Sequence, residues 1–473
     1  MITCMEKRER DMSTSSNPNN IVFVDGCRIP FQKPATGYRH FKVQDLARFA
    51  IRGLLDRTRI HPDEVDHVIF GSVTPTFSDD NPARTAALGA GLPATVQAHT
   101  VTMSCLSSNQ AITSGIEKIM TGQAEVVIAG GADISSGAIQ RFLRYEQKSK
   151  ETTGPTGKSR GWMSQIRSFR PSDLLPNTET GHPPAVAPGI SVASDTERAD
   201  RIASLFGVSR EIQDAYTVRS RQSAIKAENS PELNDERIPV AGPPDFTPVT
   251  SDNGCYEDST PEKLAKHKPI HNPHHSTVTK GNSAITTDGA SAVLIMTRSK
   301  ADELGFAPQV ELKSYVYTAA SVTREQKQDS TEHAVSRDDS VPEARPGQYP
   351  GAALAIPKLL DQNRITLSDI DVFEIHEASA AEILGLLSAL SDDEFANKQL
   401  GKKEAVGSIP MKKLNPSGGT LAIGHPPSAT GTRLVTTAAH RLSREKGKLA
   451  LIASGSADGM GHAMLLEKII PNQ

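Results

Sequence analysis

Cysteine is scarce in this sequence of 473 residues: there are four, Cys4, Cys27, Cys105 and Cys255, and none lies beyond position 255. Their spacing fits neither a disulfide framework nor a zinc ribbon, since both need closely paired cysteines. We therefore expect a reducing compartment and no metal site. Aromatic residues make up only 4% of the chain. No basic segment is interleaved with them, so no nucleic-acid partner is expected.

Excess charge and long apolar runs are also absent. With 52 basic and 55 acidic residues the formal net charge is -3, which gives no field that favours nucleic acid or an anionic membrane. No apolar run reaches the roughly 18 residues of a spanning helix, so no transmembrane segment is expected. Neither a Gly-x-Gly-x-x-Gly fingerprint nor a P-loop occurs, and we expect no bound cofactor.

The two ends of the chain carry no recognisable targeting signal. The first nineteen residues are polar and lack the apolar core of a secretory signal. The last three residues are not a peroxisomal tripeptide. The cytoplasm is the expected location, and the mitochondrial matrix is the alternative.

Apolar strands alternate with helical segments in the first part of the chain. Strands are expected at 21–24, 65–73, 98–103 and 125–129, and helices at 43–55, 83–89 and 107–120. This alternation indicates an α/β fold with a mostly parallel sheet covered on both faces. From about 141 to 281 the chain is richer in polar residues and proline, with one helical stretch at 196–228.

The alternation of helical and strand-like segments resumes at 282. Helices are expected at 351–360 and 380–390, and strands at 371–375, 449–454 and 463–466. We therefore expect four parts. They are a disordered tail (1–19), a first α/β half (20–140, completed by about 282–300), an inserted loop domain (141–281) and a second half (301–473).

Two segments of the first half have counterparts in the second. Residues 64–71 resemble 368–375, and residues 124–133 resemble 448–458. Each pair has the same rank in its half, which indicates a duplicated α/β unit with an active site where the halves meet. Chance similarity among buried strands is the alternative.

Cys105 is the candidate nucleophile. It follows a strand-like segment and precedes the helix expected at 107–120. A thiolate is both nucleophile and good leaving group, as acyl transfer requires. The first turn of a helix favours the thiolate through the positive end of the dipole. A lone cysteine is more often a small buried hydrophobe.

Two histidines in distinctive motifs accompany this cysteine. His376 lies in Glu-Ile-His-Glu-Ala, and His425 lies in Gly-His-Pro after a pair of glycines. For each histidine alone, a hydrogen-bonded core residue is the alternative. Together with Cys105 they favour a cysteine-nucleophile acyltransferase.

These residues carry a resemblance to the thiolase family, and within it to the type found in trifunctional β-oxidation complexes. The resemblance runs from about 20 to 468, with ordered anchors at 24–31, 86–91, 98–105, 287–291, 374–378 and 424–426. It implies a layered fold of two duplicated halves with five-stranded mixed sheets, plus the inserted loop domain. It also implies an acyl-CoA substrate, CoA as cosubstrate, a homodimer or tetramer, and a hydratase/dehydrogenase subunit as a candidate partner.

The resemblance further implies roles for the three candidate residues. Cys105 would take the acyl group as a thioester, and His425 would accept the thiol proton. His376 would help to donate hydrogen bonds to the thioester oxygen of the second acyl-CoA, where most thiolases have asparagine.

Four further residues would shape the substrate site by the same resemblance. A backbone N–H near Gly459 would form the oxyanion hole of the acyl-enzyme. Asn415 and Gly419 would shape the turn that presents His425. Asn282 would line the pantetheine channel.

One position departs from the family pattern. Thiolases carry a second catalytic cysteine near the C-terminus, and the matching residue here is Gly455. Loss of such a general acid/base costs about 10²–10⁴-fold in rate. Ser454, Ser456 and His462 lie nearby, but a serine hydroxyl is a poor replacement for a thiol. Asp458 stands in a glycine position, where a carboxylate would oppose an oxyanion unless it points away.

Three functions follow from this combination. The first is thiolytic cleavage of 3-ketoacyl-CoA, or the reverse condensation, with altered or reduced activity. The second is a decarboxylating enzyme resembling ketoacyl synthases, because Cys105, His376 and His425 form a Cys-His-His set. The third is a degenerate acyl-CoA-binding protein or partner subunit without catalysis.

Overall fold

The structure, a computed structural model, describes residues 19–73, 79–136, 195–228, 230–254, 259–271, 276–319, 349–456 and 458–469. The expected N-terminal tail lies outside these ranges except for Asn19, as does the part of the expected loop domain from 141 to 194. The strands are β1 (Ile21–Arg28), β2 (His67–Gly71), β3 (Gln97–Val101), β4 (Val126–Asp133), β5 (Gly289–Thr297), β6 (Val310–Ala319), β7 (Val372–Ile375), β8 (Leu449–Gly455) and β9 (Met460–Lys468).

The helices of the described ranges follow the same chain order. They are α1 (Val43–Thr58), α2 (Pro82–Gly89), α3 (Ser107–Met120), α4 (Asp195–Leu205), α5 (Arg210–Glu228), α6 (Pro231–Glu236), α7 (Pro261–Leu264), α8 (Arg298–Glu303), α9 (Gly351–Asn363), α10 (Ala380–Leu390), α11 (Asp393–Leu400), α12 (Thr420–Ile423) and α13 (Pro427–Arg444). Short 3-10 turns occur at Pro62–Glu64, Leu367–Asp369 and Met411–Lys413. No described helix is long and apolar enough to cross a membrane.

The described strands form one sheet in the order β3-β2-β4-β5-β1-β6-β9-β8-β7. The first five belong to the first half of the chain and the last four to the second. The halves join where Phe23 of β1 pairs with Val310 of β6, antiparallel. The strands β2 and β4 are parallel, as are their counterparts β7 and β8, whereas β5 and β9 are antiparallel to their neighbours.

The strand order displays the duplication that the sequence predicts. The series β2-β4-β5-β1 in the first half corresponds to β7-β8-β9-β6 in the second. The first half has the expected five strands. In the second half an isolated parallel bridge between Phe373 and Leu414 takes the place of the fifth strand.

Three apolar clusters lie in layers against the sheet. One is built by α1 and α2 on the outer face of the first half, and another by α9 and α10 on the outer face of the second. The third is central. It combines α3 and α13 with strands of both halves, through residues such as Ile112, Leu434, Val127 and Ile452. The two central helices are therefore shared by both halves.

The central helix α13 is not among those that apolar periodicity predicts. Much of its buried surface is polar, including Thr432, Arg433 and Thr436. Two of them make hydrogen bonds inside the protein: Arg433 donates to the carbonyl of Gly418 and Thr436 to the carbonyl of Thr432, at 3.0 Å each. Its apolar stripe, Leu434, Val435, Ala438 and Leu442, covers only the second half of the helix, so the small and polar first turns give no such signal.

The helical stretch expected at 196–228 is two helices, α4 and α5. They are separated at Gly207, whose φ of +61° suits glycine best. Both helices belong to the expected inserted domain. Its boundaries remain a prediction.

The N-termini of α3 and α13 converge between the halves. The N–H of Thr432 donates to the hydroxyl of Ser108 at 3.1 Å. A Cβ at Gly431 would overlap the side-chain amide of Asn109, so glycine permits this close approach. Because the two helices begin side by side, the residues just before them, Cys105 and His425, are brought together.

Candidate active site

Cys105 lies in a tight turn between β3 and α3. The helix begins at Ser107, as the sequence predicts, so the cysteine precedes it by two residues and lies outside its first turn. Ser104 has a φ of +47°, an uncommon conformation for a residue with a side chain. The hydroxyl of Ser107 holds the turn, accepting from the N–H of Met103 at 2.8 Å and donating to the carbonyl of Ser104 at 2.7 Å.

His425 faces the sulfur of Cys105. Its Nε2 lies 3.4 Å from Sγ. Its Nδ1 lies 2.7 Å from the hydroxyl of Thr430, which itself donates to the carbonyl of Pro426 at 3.0 Å. Because that hydroxyl has one proton, it accepts from Nδ1–H. The neutral ring therefore presents an unprotonated Nε2 to the thiol, as a base requires.

The surroundings keep His425 neutral. Burial lowers its pKa well below the ordinary value, and the neighbouring His376 lowers it further. The centroids of the two imidazole rings are 4.3 Å apart. An uncharged imidazole beside a thiol can accept its proton without first losing one of its own.

His376 follows β7, and its N–H donates to the carbonyl of Ala453 at 2.9 Å. Burial lowers its pKa to about 4, a hydrogen bond to the backbone of Gly455 opposes this effect, and the charge of Arg433 adds to it. Its Nε2 is buried and has no partner among the described residues. The ring proton is used toward Gly455, so in the neutral ring Nε2 is a hydrogen-bond acceptor.

Comparison with known proteins identifies the family. The model described as "Thiolase, N-terminal domain" matches residues 21–156 and 192–299, and "Thiolase, C-terminal domain" matches residues 341–468. The chain belongs to the thiolase family.

Curated thiolase relatives align with nearly the whole chain. The "Trifunctional enzyme subunit beta, mitochondrial" of Bos taurus is 40% identical over 460 residues, 97% of this chain and 90% of the relative. The "Probable 3-ketoacyl-CoA thiolase" of Caenorhabditis elegans is 38% identical, covering 95% of this chain and 94% of the relative. Among solved structures, the Bacillus anthracis acetyl-CoA acetyltransferase has a TM-score of 0.74 at 26% identity, covering 95% and 99% of the two chains.

Gly455, the last residue of β8, has room for a side-chain Cβ. A Cβ built there has its nearest neighbours at ordinary contact distance. They are the backbone nitrogens of Gly351 and Ala352 at 3.7 Å and the carbonyl oxygen of Met460 at 3.8 Å. The side chain of His462 is not among the neighbours of this position. It is fully buried, with its ring centroid 4.8 Å from that of Tyr317, and burial lowers its pKa to about 3.

The N–H of Gly459 is engaged elsewhere. It donates to the carbonyl of Ser456 at 3.0 Å and closes the turn between β8 and β9. In this structure the amide stabilises the turn, and an oxyanion role for a backbone N–H near Gly459 stays a prediction.

Asn282, Asn415 and Gly419 make framework contacts in the described structure, and the roles that the resemblance implies for them stay predictions. The amide of Asn282 donates to Asp214 at 3.1 Å and accepts from the N–H of Thr279 at 2.8 Å. The amide of Asn415 pairs with both backbone groups of Ile375 at 2.8 Å. A Cβ at Gly419 would overlap the carboxylate of Glu377.

Glu377 is a buried residue that sequence reasoning did not single out. Its carboxylate accepts from the hydroxyls of Tyr216 and Ser220 at 2.8 Å each, and from the amide of Asn415 at 2.7 Å. Two of these donors lie on α5 of the inserted region. The carboxylate thus ties that region to the residue next to His376. Its position directly after the histidine in the motif was the only available signal.

We expect Thr430→Val to slow acylation of Cys105 about ten- to a hundredfold. The valine keeps the shape but removes the oxygen that accepts from His425, and an unpaired buried donor costs about 1–3 kcal/mol. The rate of Cys105 acylation, measured by quenched-flow mass spectrometry, tests this. Thr436→Val is the matched control, because that hydroxyl bonds only to the carbonyl of Thr432 in the same helix. Equal losses in both variants would show a general effect on the helix.

Proposed function

We propose that this protein is a thiolase-type acyl-CoA acyltransferase, in which Cys105 carries the acyl group of a 3-ketoacyl-CoA as a thioester. The observation that carries the proposal is the 3.4 Å contact between Nε2 of His425 and Sγ of Cys105. The family of the chain and the names of its relatives support acyl-CoA chemistry. CoA is the cosubstrate.

In the thiolytic direction His425 takes the proton of Cys105, and the thiolate attacks the 3-keto carbonyl. The bond between that carbonyl carbon and the α-carbon then breaks. Its electron pair goes to the α-carbon, which gains a proton and leaves as acetyl-CoA. His425 finally accepts the thiol proton of CoA, the sulfur of CoA attacks the acyl-enzyme, and the proton passes from His425 to the released thiolate of Cys105.

His376 would act on the thioester oxygen of the leaving acetyl unit. Since its neutral Nε2 is an acceptor, stabilisation of an enolate oxygen requires either a bridging water or a doubly protonated ring. Both arrangements use the unpartnered nitrogen. This qualifies the direct donor role that the resemblance implies.

We expect His376→Ala to reduce thiolysis by about 10²–10³-fold, the usual cost of removing one oxyanion donor. His376→Asn should retain most of the activity, because an amide both donates and accepts, and most thiolases have asparagine here. Steady-state thiolysis of acetoacetyl-CoA measures the difference. Equal, small losses in both variants would contradict a role at the thioester oxygen.

The acyl-enzyme itself is the direct test of the proposed function. Purified protein is incubated with acetyl-CoA or acetoacetyl-CoA, quenched with acid and digested. Mass spectrometry should then find the acyl group on the peptide that contains Cys105. Absence of the adduct, in protein shown to be folded, would remove the proposal.

A decarboxylating condensation is the second candidate. It is favoured by the described site itself, where Cys105 is accompanied by two histidines and glycine occupies position 455. Release of CO₂ from malonyl-CoA in the presence of an acyl-CoA would indicate this reaction. Binding of acyl-CoA without either reaction would indicate a degenerate acyl-CoA-binding protein.

Assembly and location follow from the relatives' names only as proposals. We propose a homodimer or tetramer, with a hydratase/dehydrogenase subunit as partner, because one group of relatives is named as a trifunctional enzyme subunit. The same relatives are named as mitochondrial, which supports the mitochondrial matrix as the alternative to the cytoplasm. Light scattering and co-purification from the native source test the assembly.

A further inference from the structure

We propose that the carboxylate of Asp458 performs the α-carbon proton transfer that the second cysteine performs in other thiolases. The inference rests on the proposed function and names a further catalytic residue for it. Its basis is the turn between β8 and β9, which brings Asp458 into hydrogen-bond contact with Ser104, the residue before the nucleophile.

The turn joins the antiparallel strands β8 and β9 as a β-hairpin. The last pair of its ladder is Gly455 with Gly461. The N–H of Ser456 donates to the carbonyl of Met460 at 3.0 Å. Asp458 therefore lies at the apex, three residues from the position of the missing thiol.

The apex contacts the nucleophile turn directly. The hydroxyl of Ser104, the residue before Cys105, donates to Oδ2 of Asp458 at 3.2 Å. Asp458 is exposed, Cys105 is half-buried and both imidazoles are buried. The histidines are thus the buried part of the site, and the carboxylate is its solvent-accessible part, next to the turn that carries Cys105.

Hydrogen bonds orient the carboxylate of Asp458 and still leave it able to accept a proton. Its Oδ1 accepts from the hydroxyl of Ser456 and from the N–H of Met460, the latter at 3.3 Å. With Ser104 these make three donors, whereas a carboxylate has about four acceptor sites. The donated hydrogen bonds also temper the negative charge that would otherwise oppose an oxyanion at Cys105. One lone pair of Oδ2 remains for a proton.

The proton balance closes over one turnover. In condensation the carboxylate takes a proton from the α-carbon of acetyl-CoA. The C–H electron pair forms the new bond to the thioester carbonyl, and Cys105 leaves as a thiolate. The exposed carboxyl releases the α-proton to solvent, from which His425 returns a proton to Cys105. In thiolysis the carboxyl gives its proton to the α-carbon and regains one from solvent. His425 releases the proton of Cys105 to solvent, then takes the thiol proton of CoA and passes it to Cys105.

Hydrogen exchange at the α-carbon isolates this step. Acetyl-CoA is incubated with enzyme in D₂O, and deuterium in its methyl group is followed by mass spectrometry. The extent of Cys105 acylation is measured on the same samples. Asp458→Asn should slow exchange by about 10²–10⁴-fold and leave the extent of acylation unchanged. Asp458→Glu should retain part of the exchange.

Asp245→Asn is the matched control. Its Oδ1 also accepts from an N–H two residues on, that of Thr247 at 3.3 Å, in an exposed loop. This variant should exchange like wild type. In the double variant Gly455→Cys with Asp458→Asn, the thiol should restore exchange.

The outcomes distinguish the role of Asp458 from the proposed function of the protein. Wild type that is acylated but exchanges no deuterium overturns the role of Asp458 and leaves the proposed function intact. Deuterium exchange at the wild-type rate in Asp458→Asn overturns the role of Asp458 too. If Asp458→Asn loses both acylation and exchange and the double variant does not recover them, Asp458 serves to hold Ser104 in place and does not transfer the proton. Wild type that is never acylated removes the proposed function and this step with it.

Discussion

The Gly455→Cys variant should cleave 3-ketoacyl-CoA at least tenfold faster than the natural chain, and at most by the ~10²–10⁴-fold that a full general acid/base contributes. The gain is bounded because Asp458 already carries part of the proton transfer in our proposal. In the Asp458→Asn background the gain should reach the upper range.

The structure gives two reasons to expect a working thiol at 455. The side chain fits, since a Cβ there has no neighbour closer than 3.7 Å and the residue is not among those with positive φ. Its nearest neighbours are the first two amides of α9, a helix of 13 residues. The positive end of that helix favours the thiolate.

Steady-state thiolysis measures the effect, and iodoacetamide labelling reports whether the new thiol is reactive. Gly455→Ser and Gly455→Ala are the controls, because they add a side chain of similar size without an ionisable sulfur. A folded variant with a reactive thiol at 455 and no gain would show that proton transfer at the α-carbon does not limit this enzyme.

The parts of the site that could be read from sequence are those carried by short motifs. Cys105, His376 and His425 each lie in a local pattern at the end of a predicted element, and the structure brings all three together. The duplicated halves were also readable, because buried parallel strands are apolar throughout.

The parts that could not be read depend on partners distant in sequence. Thr430 orients His425 only because the chain enters α13 there, and the first turns of that helix carry small and polar residues in place of an apolar stripe. Asn415 is satisfied by the backbone of Ile375, forty residues earlier. Periodicity and spacing do not contain such pairings, so the partner of a buried amide cannot be named from the sequence.

Cys105→Ala should abolish the acyl-enzyme and reduce thiolysis by on the order of 10⁴–10⁶-fold, the range seen when a covalent nucleophile is removed. His425 would remain, but it would have no thiol to deprotonate. Cys105→Ser should retain only a trace of acylation, because a hydroxyl is far harder to ionise than a thiol.

The control is a second cysteine in the same half. Cys27 is fully buried, its sulfur lies 3.4 Å from the carbonyl of Ala50, and burial raises the pKa of its thiol. Cys27→Ala should therefore keep the acyl-enzyme, and iodoacetamide should label Cys105 and leave Cys27 unmodified. If Cys105→Ala still formed a stable acyl adduct elsewhere on the chain, the 3.4 Å contact with His425 would not be the reactive pair.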